Sequence, residues 1–391
     1  MRAGRTAGAV FGVVAMALAA PALAGDNGVF AERIVFGQAA VLEGPAASLG
    51  LGMREGLLAA FGEVNRAGGV KGRKLELVSR DDGYEPKRSI EATRSLLDDD
   101  KVFALVGPVG TPTSAATQPI ATEAGVPFIG AFTGAEFLRA PHKPAVVNVR
   151  ASYFQETETM VERLTKDLGV KRIAIFYQDD AFGRAGLTGV QRALERRRME
   201  LVAEGTYERN TVAVKRALLD IRRGKPDAVI MVGAYKPCAT FIRLAREHGL
   251  DATFVNISFV GSDALARELG PDGAGVVVTQ VVPFPGDAAI PVVARYQAAL
   301  KARDAAAKPG FVSLEGYMVG RLVAAALEKV EGEPTRKALL EAIVAARSFD
   351  LGGVRLVYGA DDNRGMAEVF LTVLGPDGAF KPVQTLARAG G

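Results

Sequence analysis

Thr111 and Thr133 each stand just beyond a short apolar run, in loops of small polar residues whose hydroxyl and amide groups could seat an anion. The first run, Phe103 to Val106, is bounded by Gly107 and Pro108, as expected for a parallel strand covered on both faces. Thr111 suits an N-cap and Pro112 the first helical position, so a helix through Ser114 to Ala124 would point free N–H groups into the mouth of the loop. Such a helix start attracts negative charge. The second run, Val126 to Ala131, ends at Phe132 and Thr133, and Gly134 permits close backbone approach. In an open parallel sheet the carboxyl ends of neighbouring strands face one crevice, so both loops would face one ligand. The plainer alternative is that both threonines only cap helices.

Catalysis needs more than this. The chain of 391 residues has two histidines, His142 and His248, one cysteine, Cys238, and neither a Gly-x-Ser-x-Gly nor a phosphate-loop pattern. No residues have metal-ligand spacing, so neither an enzyme nor a metal or other cofactor is expected. A nucleic-acid partner is not expected either. Removing Arg2 and Arg5 from the 48 basic residues leaves 46 against 44 acidic ones, and a basic run such as Arg192 to Arg198 is interrupted by Glu195.

The elements around the two loops alternate strand and helix. Ile34 to Leu42, Lys74 to Arg80 and the organising runs read as strands, separated by helices over about Leu51 to Ala67 and from Pro86 onward. A second round follows, with strands at Arg172 to Tyr177, Leu201 to Tyr207, Ala228 to Val232, Thr253 to Ile257 and Gly275 to Val282. Short connections and this alternation predict α/β architecture in two doubly wound lobes, with a hinge and an interlobe cleft. Helices are predicted near Ile290 to Asp304, Ser313 to Val330 and Thr335 to Ala346; Gly316 and Gly320 predict close helix packing. Strands at Gly353 to Tyr358 and Glu368 to Leu374 close the chain. The expected division is a signal peptide over 1–24, a first lobe over 33–148 plus 282–352, and a second over 149–281 plus 353–391. Arg2 and Arg5, the apolar run Ala7 to Ala20 and Ala22-Leu23-Ala24 form the signal pattern, with cleavage expected after Ala24. That run is shorter than the roughly 20 residues of a membrane span. A freely diffusing periplasmic protein is therefore expected.

Several stretches together resemble the type I periplasmic solute-binding proteins of ABC importers, in the leucine/isoleucine/valine-binding branch. They are Glu63 to Lys74, Asp81-Asp82 with Pro86, Val106-Gly107, Thr117-Gln118-Pro119, and Arg172 to Ile175 before Asp179 to Gly183. The resemblance spans about Ile34 to Val383. It implies lobes that close over a branched-chain amino acid or related small carboxylate, a monomer, and delivery to permease subunits in the inner membrane; a sensor module of the same fold is the rival. It places the ligand carboxylate on Thr111 with Thr113 beside it, and on Ala131 and Thr133, with Phe182 and Tyr235 covering the ligand from the second lobe. Tyr153 and Gln280 are further candidates. Leucine binders of the family carry a carboxylate for the ligand ammonium where this chain has Ser258, and an aromatic where it has Leu49. Either Asp180 or another acid then meets the ammonium, or the ligand is a carboxylate without one, aromatic acids included.

Overall fold

The computed structural model describes residue 4 and residues 26–387, so the signal-peptide expectation at 1–24 lies outside the described residues save Gly4. The first round runs β1 (Arg33–Ala40), α1 (Ala47–Arg66), β2 (Lys74–Asp81), α2 (Pro86–Asp98), β3 (Leu105–Val106), α3 (Thr111–Glu123), β4 (Phe128–Ile129) and β5 (Val146–Val147). Its five strands pair in parallel in the order β2-β1-β3-β4-β5. The second round runs α4 (Tyr153–Lys166), β6 (Ile173–Gln178), α5 (Ala181–Glu195), β7 (Leu201–Tyr207), α6 (Lys215–Arg223), β8 (Ala228–Val232), α7 (Tyr235–Glu247), β9 (Thr253–Asn256), α8 (Ser262–Leu269) and β10 (Val277–Gln280). Its strands form the parallel part of a seven-stranded sheet. This is the doubly wound two-sheet α/β architecture that the strand–helix alternation predicts. In each sheet the strand order reverses beside the first strand, at β1/β3 and at β6/β8, which puts a crevice at those carboxyl ends.

The chain then returns to the first sheet as α9 (Pro291–Arg303), α10 (Phe311–Glu328) and α11 (Arg336–Ala346). Helix α10 packs along α1, and glycine is required at that contact: a Cβ on Gly56 would lie 1.9 Å from the Ser313 carbonyl oxygen, and one on Gly316 2.3 Å from that of Met53. The close packing predicted for Gly316 and Gly320 is therefore present. Last come β11 (Ser348–Asp350), β12 (Arg355–Gly359), β13 (Asp362–Gly365), β14 (Phe370–Leu374) and β15 (Phe380–Val383).

The tail differs from the sequence expectation, which assigned 353–391 whole to the second lobe. Strand β12 pairs with β11 on one side and β13 on the other in a small separate antiparallel sheet beside α11 and β5, and only β14, antiparallel to β10, and β15, antiparallel to β14, extend the second sheet. The physical reason is the hairpin through Ala360 and Asp361 that joins β12 to β13. It returns the chain so that Asn363 donates its side-chain amide to the Leu138 carbonyl and accepts from the Asn148 backbone N–H through its own carbonyl. Two crossovers between the lobes thus lie zipped together, with Met366 N–H donating to the Val149 carbonyl at 3.0 Å. Among the described residues no helix is long and apolar enough to cross a membrane.

Candidate ligand-binding cleft

The first loop takes its shape from Gly110, which has φ +105° and caps α3 in place of Thr111; a Cβ there would lie 2.3 Å from Tyr84 Cε2. Thr111 is consequently the first residue of the helix, and it makes no capping hydrogen bond. Its hydroxyl is freed to meet that of Thr133 at 2.6 Å, with both residues buried. The capping alternative for Thr111 is thereby replaced by a side-chain contact that joins the two loops. Thr113, also buried, donates its hydroxyl proton to the Val109 carbonyl and so braces its own loop. Ala131 packs its methyl into the apolar layer behind the sheet, and its carbonyl accepts from Thr133 N–H at 2.8 Å. Gly134 allows the expected close approach: Tyr153 N–H donates to its carbonyl at 2.8 Å, and a Cβ would strike the Tyr153 ring.

The second lobe supplies the opposite wall. Phe182 is fully buried at the start of α5, 5.4 Å between ring centroids from Tyr153 and 4.5 Å from Phe259. Phe259 in turn lies 5.2 Å from Phe132 and 6.0 Å from Tyr84, both on the first lobe, so the rings of the two lobes interleave. Tyr235 reaches across more loosely, its hydroxyl accepting from Ser48 N–H at 3.4 Å. Leu49 packs against Gly261 at the same place, because glycine leaves no side chain between them. An open cavity of about 1150 Å³ begins at Ser48, Leu49 and Gly261 and widens between α1, α8 and the start of α10. Its lining does not include Thr111 or Thr133; the hydroxyl pair lies deeper, under the aromatic rings.

Ser258, singled out as a position lacking an acid, sits at the centre of a buried charge network. Its backbone N–H and hydroxyl both donate to Glu156, at 2.9 and 3.0 Å, and its oxygen accepts from Arg150 Nη2 at 2.6 Å. Thr279 adds a third hydrogen bond to Glu156 at 2.6 Å. Arg150 lies with its guanidinium carbon 4.6 Å from the Phe132 ring centre and its Nε 3.1 Å from Glu315 Oε1, without the alignment of a hydrogen bond. Arg139 completes the group, donating to the Arg150 carbonyl at 3.0 Å.

Burial dominates the electrostatics here. It raises Glu315 to about 7, against the pull of Arg150, and raises Glu156 against Arg150 and its hydrogen bonds. It lowers Arg139 to about 10. The Tyr153 hydroxyl is pushed above its ordinary range by burial, while Arg150 and the Thr133 and Thr111 hydroxyls beside it pull it down.

Sequence reasoning offered Asp180 as a substitute acid, but its carboxylate is already engaged. It caps α5 through Phe182 N–H and accepts from the Gln178 side-chain amide and from Arg209, which also pairs with Glu85 across the cleft at 2.7 Å. Gln280 is likewise occupied, by Ser262 and Thr372 inside the second lobe. The acids beside Ser258 are Glu156 and Glu315, which the sequence reading missed. The one local signal was a charged residue, Arg150, directly after the buried strand-end run Val146 to Val149.

Comparison with known proteins yields a match to the periplasmic binding protein family over residues 33–379. The solved structure of a possible leucine/isoleucine/valine-binding protein from Rhodopirellula baltica SH 1 is 40% identical, with a TM-score of 0.87 over 90% of this chain and 96% of that one. A substrate-binding periplasmic protein from Ralstonia solanacearum is 28% identical, with a TM-score of 0.84 over 89% of this chain and 99% of that one. The Leu/Ile/Val-binding protein homolog 7 of Brucella abortus (strain 2308) is 24% identical over 360 residues, 88% of each chain.

Proposed function

The chain belongs to the periplasmic binding protein family, of the Leu/Ile/Val-binding type, and on that premise we propose that it is the substrate-binding component of an ABC importer for small carboxylates or amino acids. Members of this family are binding proteins rather than enzymes, and the family points to a periplasmic location. The observation that carries the finer reading is the Thr111–Thr133 hydroxyl pair. It joins two strand-end loops of one lobe directly beneath the aromatic rings of the other, where an acceptor-rich ligand group would be enclosed when the lobes meet. Thr111, Thr133, Phe182, Tyr235 and Ser258 are the residues assigned to the ligand; Ala131 offers backbone and Thr113 supports the loop. In this reading the leader is removed after Ala24, the lobes hinge about the segments near Arg150, Val282 and Asn363, and the closed monomer delivers its ligand to permease subunits.

The test is a thermal-shift screen of the protein lacking residues 1–24 against the standard amino acids and against aliphatic and aromatic carboxylates, since a ligand that binds only the folded state raises the melting temperature. Thr111→Ala and Tyr235→Ala should each weaken a hit by ~1 to 3 kcal/mol, the range for losing a buried hydrogen bond or a packed ring. The reading fails if no solute of any class shifts the transition, and the site assignment fails if both variants bind as the parent does.

A further inference from the structure

Arg150 has donors left over. It is about 1% exposed; Nη2 is bonded to Ser258, while Nη1 has no hydrogen-bond partner and Nε faces Glu315 without one. A buried guanidinium with unmatched N–H groups is costly, because its five donors have no water to satisfy them. The fully buried hydroxyl of Tyr153 lies with Arg150 and the Thr111–Thr133 pair in one electrostatic neighbourhood. The donor left here with no acceptor of any kind is Arg150 Nη1. Around it stand Phe132, Phe182 and Phe259, whose rings exclude water and offer only apolar surface.

Resting on the solute-binding reading above, we infer that Arg150 is a ligand-binding residue and that it selects a monocarboxylate on an apolar body with no amino group on the adjacent carbon. A carboxylate presents two oxygens to the Nη1 edge of the guanidinium and to the Tyr153 hydroxyl, the pairing for which an arginine fork is shaped. An ammonium on the next carbon brings only further donors and a second positive charge toward Arg150. The acid best placed to receive it, Glu156, already accepts from Ser258 N–H, the Ser258 hydroxyl and Thr279. Glu315, the other acid, is ion-paired with Arg150 and driven by burial toward its neutral form, in which it attracts no cation.

Matched pairs isolate the amino group. Titration calorimetry with the full-length mature protein would compare 4-methylpentanoate with leucine and 3-phenylpropanoate with phenylalanine, each pair alike except for the ammonium. The expected result is that both deaminated acids bind at least tenfold more tightly, about 1.4 kcal/mol. Arg150→Lys, which keeps the charge beside Glu315 but not the planar fork, should then lose at least tenfold for the acids, with its fold checked by circular dichroism. Equal or tighter binding of leucine and phenylalanine overturns the inference and leaves the solute-binding reading standing. Binding of none of the four also overturns it, and the broader screen then decides separately whether that reading survives. If Arg150→Lys does not fold, the four titrations on the parent protein decide the matter alone.

Discussion

Replacing Glu315 by glutamine should leave the protein's stability unchanged near pH 4 and raise it above neutrality. The carboxyl is fully buried and raised from 4.5 to about 7, by burial first, then by the repulsion of Glu156, with Arg150 and Arg139 pulling the other way. A folded-state value above the unfolded one means that the folded protein holds a proton the unfolded chain has released. The stabilisation is therefore complete below about pH 4.5 and is lost as pH rises toward 7. At about 1.36 kcal/mol per unit, a rise of about 2.5 units corresponds to roughly 3 kcal/mol lost by the parent across that window. Glutamine resembles the protonated acid in shape and never ionises. Glu315→Gln should thus match the parent near pH 4 and exceed it near pH 8 by up to about 3 kcal/mol. The assay is urea unfolding followed by circular dichroism at both pH values, comparing midpoints at equal slope. The opposing expectation is definite: breaking a buried ion pair by removing one partner commonly costs about 3 to 5 kcal/mol. A variant weaker than the parent at pH 8 would show that attraction to Arg150 exceeds the cost of burying the carboxylate, and would refute the reasoning.

Gly110→Ala should destabilise the protein by roughly 2 to 5 kcal/mol and abolish ligand binding, since it adds positive-φ strain to a clash with the Tyr84 ring; a midpoint unchanged in denaturant would contradict this. Glu85→Ala removes the ion pair to Arg209 that spans the lobes, half-screened by solvent on the Glu85 side, and leaves Arg209 paired with Asp180. About 1 kcal/mol is at stake, so ligand affinity should fall a few-fold while the melting temperature of the unliganded protein changes little. Cys238 is fully buried with its thiol pushed far up by burial alone, so iodoacetamide should label it only in denaturant; rapid labelling of the native protein would mean that α7 opens.

Much of the fold was legible because its causes are local. Strand and helix periodicities, the proline that opens α2, the paired glycines after α1 and the small residues at the α1–α10 contact act over a few positions each. The threonine loops could be located for the same reason: a short buried strand followed by glycine and a polar residue is a local pattern. The cap of α3 was displaced by one residue because a contact between Thr111 and Thr133, 22 positions apart, competes with capping and prevails. The small tail sheet of β11, β12 and β13 was not legible because strand partnership depends on which sheet edge is free, and that is a property of the assembled fold. The sequence by itself determined the fold class, the two-lobed repeat and the loops that face the cleft. Only the tertiary structure decided the charge at its floor, where Arg150 and Glu156, Ser258, and Glu315 come from three distant segments of the chain and are buried together. Desolvation is a three-dimensional quantity, so neither Ser258's true partners nor the raised Glu315 could be read from spacing along the chain.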